Sequence, residues 1–526
     1  MRRFNHTQQA TVNGQPRSYS MLLLMPLVGA CSFLLDFDEL QAGPTSPTPP
    51  IRDSGAVTGN DAGIGSGGAD GQAATGGAAG TQPMDSGMPC PESCDDGNPC
   101  TDDRCVNGSC ESQAAARIIE DDFQQTIMGT DLYRASLVPG TDQFYLAAYG
   151  NFAAGQDIQL FRFASDGDEW SEGPLMTEVV GAGTDVPISP AALVFGSDDN
   201  LYAYFALGPV APINFLNAGQ VQRVVLNATL EASTLDPVSA DQNYRYINNT
   251  VGPAAAQVPG GDVYVAWAGA PPPGNALAAG IYLQSGTAPL ALAATPDLWE
   301  PAEVRGLAPI YGLGNDTDLG VKGALWQAQR GNTNQVDTHM QLLGGLRQTF
   351  GQCVNNGVQG VSASTSRAHL DGFWFTTWTK QRDTSFVTEA TSILCLTPGL
   401  CAFNATCGDA QSQLDDVRNP KIATYHRLSD ANTVAHQALT ASQIDVDNDR
   451  TEINLLVQRL SLEDPEAGLT SSEIGTLRVA QGPASNGPNW PEVAVIAPDK
   501  VAVAWIEYGA DEDTLHVNRY RVCYGE

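Results

Sequence analysis

Beyond residue 140 the chain repeats one phrase: a turn carrying Asp, Gly or Asn, then a short strand of alternating positions that ends on an aromatic. The copies are TDQFYLAAY ending at Tyr149, SDDNLYAYF at Phe205, GGDVYVAW at Trp267, GVKGALW at Trp326, LDGFWFTTW at Trp378 and PDKVAVAW at Trp505, with a weaker copy, SDANTVAHQ, at Gln437. A second family of apolar-alternating segments follows each copy, starting at Ile158, Val221, Ile281, Met340, Ile393, Ile453 and Leu515. Side chains of a strand point alternately to its two faces, so a period of two marks both families as β-strands. Both families advance by roughly 59 residues per copy. Pro190, Pro253 and Pro491 precede three of the repeats by a near-constant offset. Lacking an N–H, proline belongs at a strand start or a sheet edge.

Two strand families sharing one long period predict an all-β architecture. For residues 115–526 the expectation is a seven-bladed β-propeller with one four-stranded blade per repeat. A β-sandwich pair gives no reason for seven even repeats, and a parallel β-helix has shorter coils. The period exceeds that of a WD40 blade, about 40–45 residues. Ser165-Asp166-Gly167-Asp168-Glu169-Trp170 resembles a shortened Asp-box turn of sialidase-like propellers, one residue short of that pattern; an ordinary hairpin turn is the alternative. The chain ends just after the seventh copy of the second family, so the last blade lacks its outer strand. Arg117-Ile118-Ile119-Glu120 is positioned to supply it, which removes two open sheet edges.

The front of the chain is built differently. Arg2, Arg3 and Arg17 precede the apolar run MLLLMPLVGA, too short to span a bilayer and of signal-peptide length. Val28-Gly29-Ala30-Cys31 resembles the bacterial lipobox, which implies cleavage before Cys31 and lipidation of its sulfur. A short buried strand with an incidental cysteine is the competing reading. After SFLLDFDELQ comes a Gly/Ala/Pro/Ser/Thr stretch up to Met88, too poor in apolar surface to offset its ordering entropy and expected to be a disordered tether. The expected domains are 1–30 signal peptide, 31–88 lipidated cysteine and tether, 89–114 disulfide module and 115–526 propeller. The combination CSFLLDFDELQ, tether and CDDGNPCTDD resembles the front end of surface lipoproteins of myxobacterial type; that resemblance implies an exported protein anchored by lipid to the outer membrane or cell surface.

Cysteine arithmetic adds a constraint. Of 11 cysteines, Cys31 is set aside for lipid. Cys90, Cys94, Cys100, Cys105 and Cys110 crowd one segment; Cys353, Cys395, Cys401, Cys407 and Cys523 lie downstream. In an exported protein such density reads as disulfides rather than zinc, since C-x2-C is absent. Both groups are odd, so complete oxidation requires a bridge between them. Strand supply by 117–120 would bring Cys523 beside the module, so Cys523 is expected to bond one of the cysteines 90–110.

Composition narrows the chemistry. With 26 basic and 59 acidic residues, the formal charge of −33 argues against binding nucleic acid or a membrane through basic residues. There is no G-x-S-x-G elbow, no H-E-x-x-H and no phosphate loop opening a helix. Asp445, Asp447 and Asp449 alternate in DVDNDRTEINLL, resembling the start of an EF-hand or FG-GAP calcium loop, with Glu452 as a later ligand; Arg450 and Leu456 depart from the EF-hand pattern. A structural Ca2+ is the cofactor this admits, and a solvated acidic turn is the simpler account. The same two readings apply to Asp95, Asp96, Asp102 and Asp103. Loops leading into innermost strands offer ligand groups: Tyr244, Arg245 and Tyr246; Arg418 and Asn419; and Trp490. Aromatics beside amides and guanidinium suit a glycan or peptide, though each loop alone is also ordinary loop structure. The leading expectation is non-enzymatic binding of an extracellular glycan or protein. The alternatives are an extracellular glycosidase or lyase on the same scaffold, which needs only two carboxylates placed by the fold, and a structural envelope protein.

Overall fold

A computed structural model describes most of residues 93–525, apart from short intervening segments, and every regular element among the described residues is a β-strand. The export signal, Cys31 and the tether lie outside the described residues, as do Cys90, residues 165–169, Tyr246, Cys407 and Asp447.

The repeat maps onto a series of antiparallel sheets. Residues 254–294 show the plan: Ala254–Gln257 pairs with Val263–Gly269, that strand with Gly280–Gln284, and that with Pro289–Ala294. Residues 304–355 and 417–483 follow the same order, and 361–415 add a short strand, Ser412–Asp415, against the third. In 185–245 the first and fourth positions are each split in two. Tyr149, Phe205, Trp267, Trp326, Trp378, Gln437 and Trp505 all lie on second strands, and the second family of segments forms the third strands. Trp170, from the Asp-box-like segment, opens the short strand that pairs beside the third strand of the first sheet.

The alternation is apolar on both phases because both faces are buried. In Gln143–Phe152, Phe144, Leu146 and Ala148 pack with Ala502, Ala504, Leu515 and Val517 of the last sheet. Tyr145, Ala147 and Tyr149 pack the other way, onto Leu201, Ala203 and Phe205. The sheet of Gln143–Phe152 is thus a layer between two others, and near-continuous apolar strands are what double-sided burial selects. The same stacking joins Trp267 and Tyr282 to Tyr204 and Val221, Tyr264 and Leu283 to Ala324 and Trp326, and Ile453, Leu455 and Val457 to Val501, Val503 and Tyr520. The first strands touch one another in sequence order, and the last of them, Pro488–Ala497, touches Ala116–Pro139, where the series began.

Ala116–Pro139 serves two sheets. Its first part pairs with the final strand, Asp513–Tyr524, from Ala116↔Tyr524 to Gly129↔Asp513; its last part pairs with Gln143–Phe152, from Thr130↔Asn151 to Pro139↔Phe144. The pairing expected of Arg117–Glu120 is therefore present and runs nine residues further. Arg519 Nε donates to Asp121 Oδ2 at 2.6 Å and lies 5.1 Å over the Phe123 ring, and the Asn518 amide donates to Glu120.

The cysteine module is a hairpin, Thr101–Val106 against Ser109–Ala114, turned at Asn107-Gly108 with positive φ at both residues, the geometry a tight hairpin requires. Cys94 bonds Cys110, and Cys100 bonds Cys523, as the odd cysteine counts required; Cys105 is oxidised too. Arg117 ties the module to the shared strand by donating to the Pro99 and Thr101 carbonyls and to Asp102. Downstream, Cys395 and Cys401 are register partners on adjacent strands, and Cys353 lies on Gln348–Asn355. Because Cys100–Cys523 spans 423 residues, it removes much freedom from the unfolded chain. Replacing both cysteines by serine is expected to lower the unfolding free energy by about 2–4 kcal/mol, measured by denaturant titration, and non-reducing peptide mapping should recover the 100–523 pair.

Candidate functional site

Three first strands share a local device. Pairing with the second strand slips between Thr130 and Arg134, between Arg418 and Lys421, and between Asn489 and Glu492. Each slip is a bulge or local irregularity of the ladder, which bends the strand and re-aims the side chain that follows. Pro420 and Pro491 stand immediately before Lys421 and Glu492, and their missing N–H groups suit an interrupted ladder. Asp131 and Trp490 hold φ of 48° and 51° within two of these slips. For a bulky residue such as tryptophan that backbone costs roughly 1–3 kcal/mol and persists only where the surroundings fix it. The Trp490 N–H donates to Asn489 Oδ1 at 2.9 Å, and the ring packs against the core between the last and first sheets. Tyr508, which also packs there, has its phenol pushed up to about 12 by burial. Beside the other irregularity, the Leu132 N–H donates at 2.8 Å to the buried carboxylate of Asp513.

The three charged residues meet in one cavity of about 190 Å³ walled by first strands. Lys421 Nζ lies 2.7 Å from Glu492 Oε1, and Arg134 Nε reaches the same oxygen at 3.3 Å. Their side chains are 16%, 11% and 21% exposed for Lys421, Glu492 and Arg134, so the group is largely shielded yet reachable from solvent. The remaining wall is uncharged, with Ser136, Leu193, Leu307 and several alanines and prolines, among them Ala191, Ala254, Ala308, Pro190 and Pro253. Burial lowers the Lys421 ammonium to about 8; the neighbouring Arg134 charge pushes the same way, and Glu492 opposes both.

Two cations share one carboxylate, which leaves a net positive charge in a largely shielded space. Glu492 is the one carboxylate among the described lining residues.

The ligand loops expected from sequence fall in two places. Arg418 and Asn419 lie on Val417–His426 and Trp490 on Pro488–Ala497, each beside the slip that presents a cavity charge. Tyr244 and Arg245 pair with Gly219 and Ala218, on the third strand of their sheet rather than a first strand, so they are not brought to the cavity strands. The sequence reading passed over Arg134, Lys421 and Glu492. The signal for two of them was the residue after the proline: Pro190 and Pro253 are followed by alanine, Pro420 and Pro491 by charge.

Of the calcium residues, Asp445 ends the strand Val434–Asp445, Asp449 is exposed with φ of 49°, and Glu452 accepts from Arg450 and Arg478. Asp95, Asp96 and Asp103 converge in the cysteine module, where the Asp96 N–H already donates to Asp103; Asp102 pairs with Arg117.

No protein-family model matches the sequence, and no curated protein matches it. Among solved structures, the intramolecular trans-sialidase from Ruminococcus gnavus is similar at 9% identity and a TM-score of 0.39, over 75% of this chain and 95% of that one. The leech intramolecular trans-sialidase gives 10% and 0.38, over 75% and 68%, and the Hadza microbial sialidase Hz136 gives 8% and 0.40, over 74% and 66%. Likeness of this degree carries no argument about substrate or residues.

The lowered Lys421 sets a pH dependence. Its proton is held less tightly in the folded chain, about 8, than at the ordinary value of 10.5, so the cost of burying its charge is fully present below pH 8 and is relieved as pH rises through the folded value. The unfolding free energy of wild type minus that of Lys421→Met should be level below about pH 8, rise toward 10.5 and level off above it. A difference without slope across that window contradicts a buried ammonium.

Proposed function

We propose that the chain is an exported surface protein, lipid-anchored through Cys31, whose 115–526 region is a seven-bladed β-propeller that binds the end group of an extracellular glycan in its central cavity without turning it over. The ring reading is supported by the cyclic order of first-strand contacts and by the strand shared between the last and first sheets. Export is supported by the oxidised cysteine module together with the lipobox resemblance. The observation that carries the binding reading is the Arg134–Glu492–Lys421 group: polar donors converge in a small recess with a single carboxylate among its described lining residues. A recess of that size admits one sugar ring more readily than a protein surface.

Two measurements test this. The full chain on a glycan array should retain specific saccharides, with weaker retention for Lys421→Ala, while mass spectrometry of the incubated glycan shows no cleavage; cleavage would instead favour the glycosidase or lyase reading. In an expressing bacterium, Cys31→Ala should abolish labelling by an alkyne fatty acid and release the protein from the membrane fraction, and labelling that survives the substitution removes the anchor.

A further inference from the structure

The charges around the cavity are not spread evenly. Lys421, Glu492 and Arg134 come from three first strands that are consecutive neighbours, Val417–His426, Pro488–Ala497 and Ala116–Pro139. The first strands that follow, with the residues leading into them, contribute Ala191, Leu193, Ala254, Leu307 and Ala308 to the wall. One arc is therefore cationic around an internal carboxylate, and the other presents uncharged, mostly aliphatic side chains, over which the body of a ligand can lie. The internal carboxylate receives both cations through one oxygen, Oε1. A carboxylate is what an Arg and a Lys aimed at one point accept best, because charge-assisted hydrogen bonds are about twice as strong as neutral ones. Glu492 accordingly stands where the acid of a ligand would be drawn, and it cancels only one of the two positive charges.

We propose that the cavity selects its ligand by a carboxylate, seated against Lys421 and Arg134 with the ligand body over the uncharged arc, and that Glu492 is a built-in counter-anion with which this carboxylate competes. The inference deepens the reading of the cavity as a saccharide site and rests on it. Two sources supply that chemistry: an acidic sugar of the uronate kind, and a free organic acid.

Isothermal titration of the full chain with glucuronate, lactate and glucose separates the possibilities. Glucuronate should bind, with glucose at least roughly tenfold weaker, the worth of about one charge-assisted hydrogen bond. Lys421→Met should weaken glucuronate by roughly tenfold and glucose by less, so that the preference for the acid narrows. Glu492→Gln should tighten glucuronate several-fold, because the competing charge is gone and the shape is kept; its unfolding midpoint verifies that the cavity still forms. Lactate binding as tightly as glucuronate upholds the carboxylate and assigns it to an organic acid, which removes the glycan. Equal binding of glucose and glucuronate, insensitive to Lys421→Met, overturns the carboxylate selection while the saccharide cavity stands. Failure of all three probes to bind overturns both.

Discussion

One strand with hydrogen-bonded partners in two sheets constrains the rest of this molecule. Ala116–Pro139 leaves the final strand at Gly129 and joins Gln143–Phe152 from Thr130 onward, so the last and first sheets cannot move apart without stripping this strand from one of its two ladders. An unpaired strand edge presents rows of unmet N–H and C=O groups and invites association with other chains. Sharing a strand satisfies both terminal sheets at once. Two further links hold the same seam: the Arg519–Asp121 pair, with Arg519 almost wholly buried, and the Cys100–Cys523 bridge, whose Cys523 is the register partner of Arg117. The cysteine module is thereby fastened to the joint between the last and first sheets.

The same shared strand also builds the site. After its irregularity near Asp131 it becomes a first strand, and Arg134 is presented beside Glu492 of the preceding sheet. The fold repeats that device at Lys421 and Glu492, where proline and a displaced register turn the backbone toward the centre. A regular ladder would leave the first strands as uniform packing surfaces, and the alanines after Pro190 and Pro253 illustrate that default. Charge placed at the same point costs desolvation, seen in the lowered ammonium of Lys421, and this cost is met in part by a carboxylate within contact of both cations. Strain at Trp490 belongs to the same picture, since an unusual backbone held by packing keeps the following charge in one place.

Much of the architecture was legible because burial on two faces imprints itself directly on the residues. Tyr149, Trp267, Trp326 and Trp505 end their phrases where the second strand lies between layers, and the third strands follow at their expected delay. On complete oxidation, the odd cysteine counts implied a bridge from the module to the body, and Cys100–Cys523 is such a bridge. The candidate site was legible only in outline. Arg418, Asn419 and Trp490 marked two of the right segments, whereas Tyr244 and Arg245 sit on a strand pairing away from the first strands.

The amino-acid sequence by itself determined the strand periods and the all-β class, because both follow from local alternation and its repetition along the chain. The tertiary structure alone decided that Arg134, Lys421 and Glu492 share one cavity. Arg134 stands far along the chain from the other two, and their convergence depends on which first strands are neighbours and on where the ladder irregularities fall in each. Cys100 as the partner of Cys523 belongs with them: arithmetic required a bridge, but only the packing of the hairpin against the seam, through Arg117, put one particular sulfur within reach.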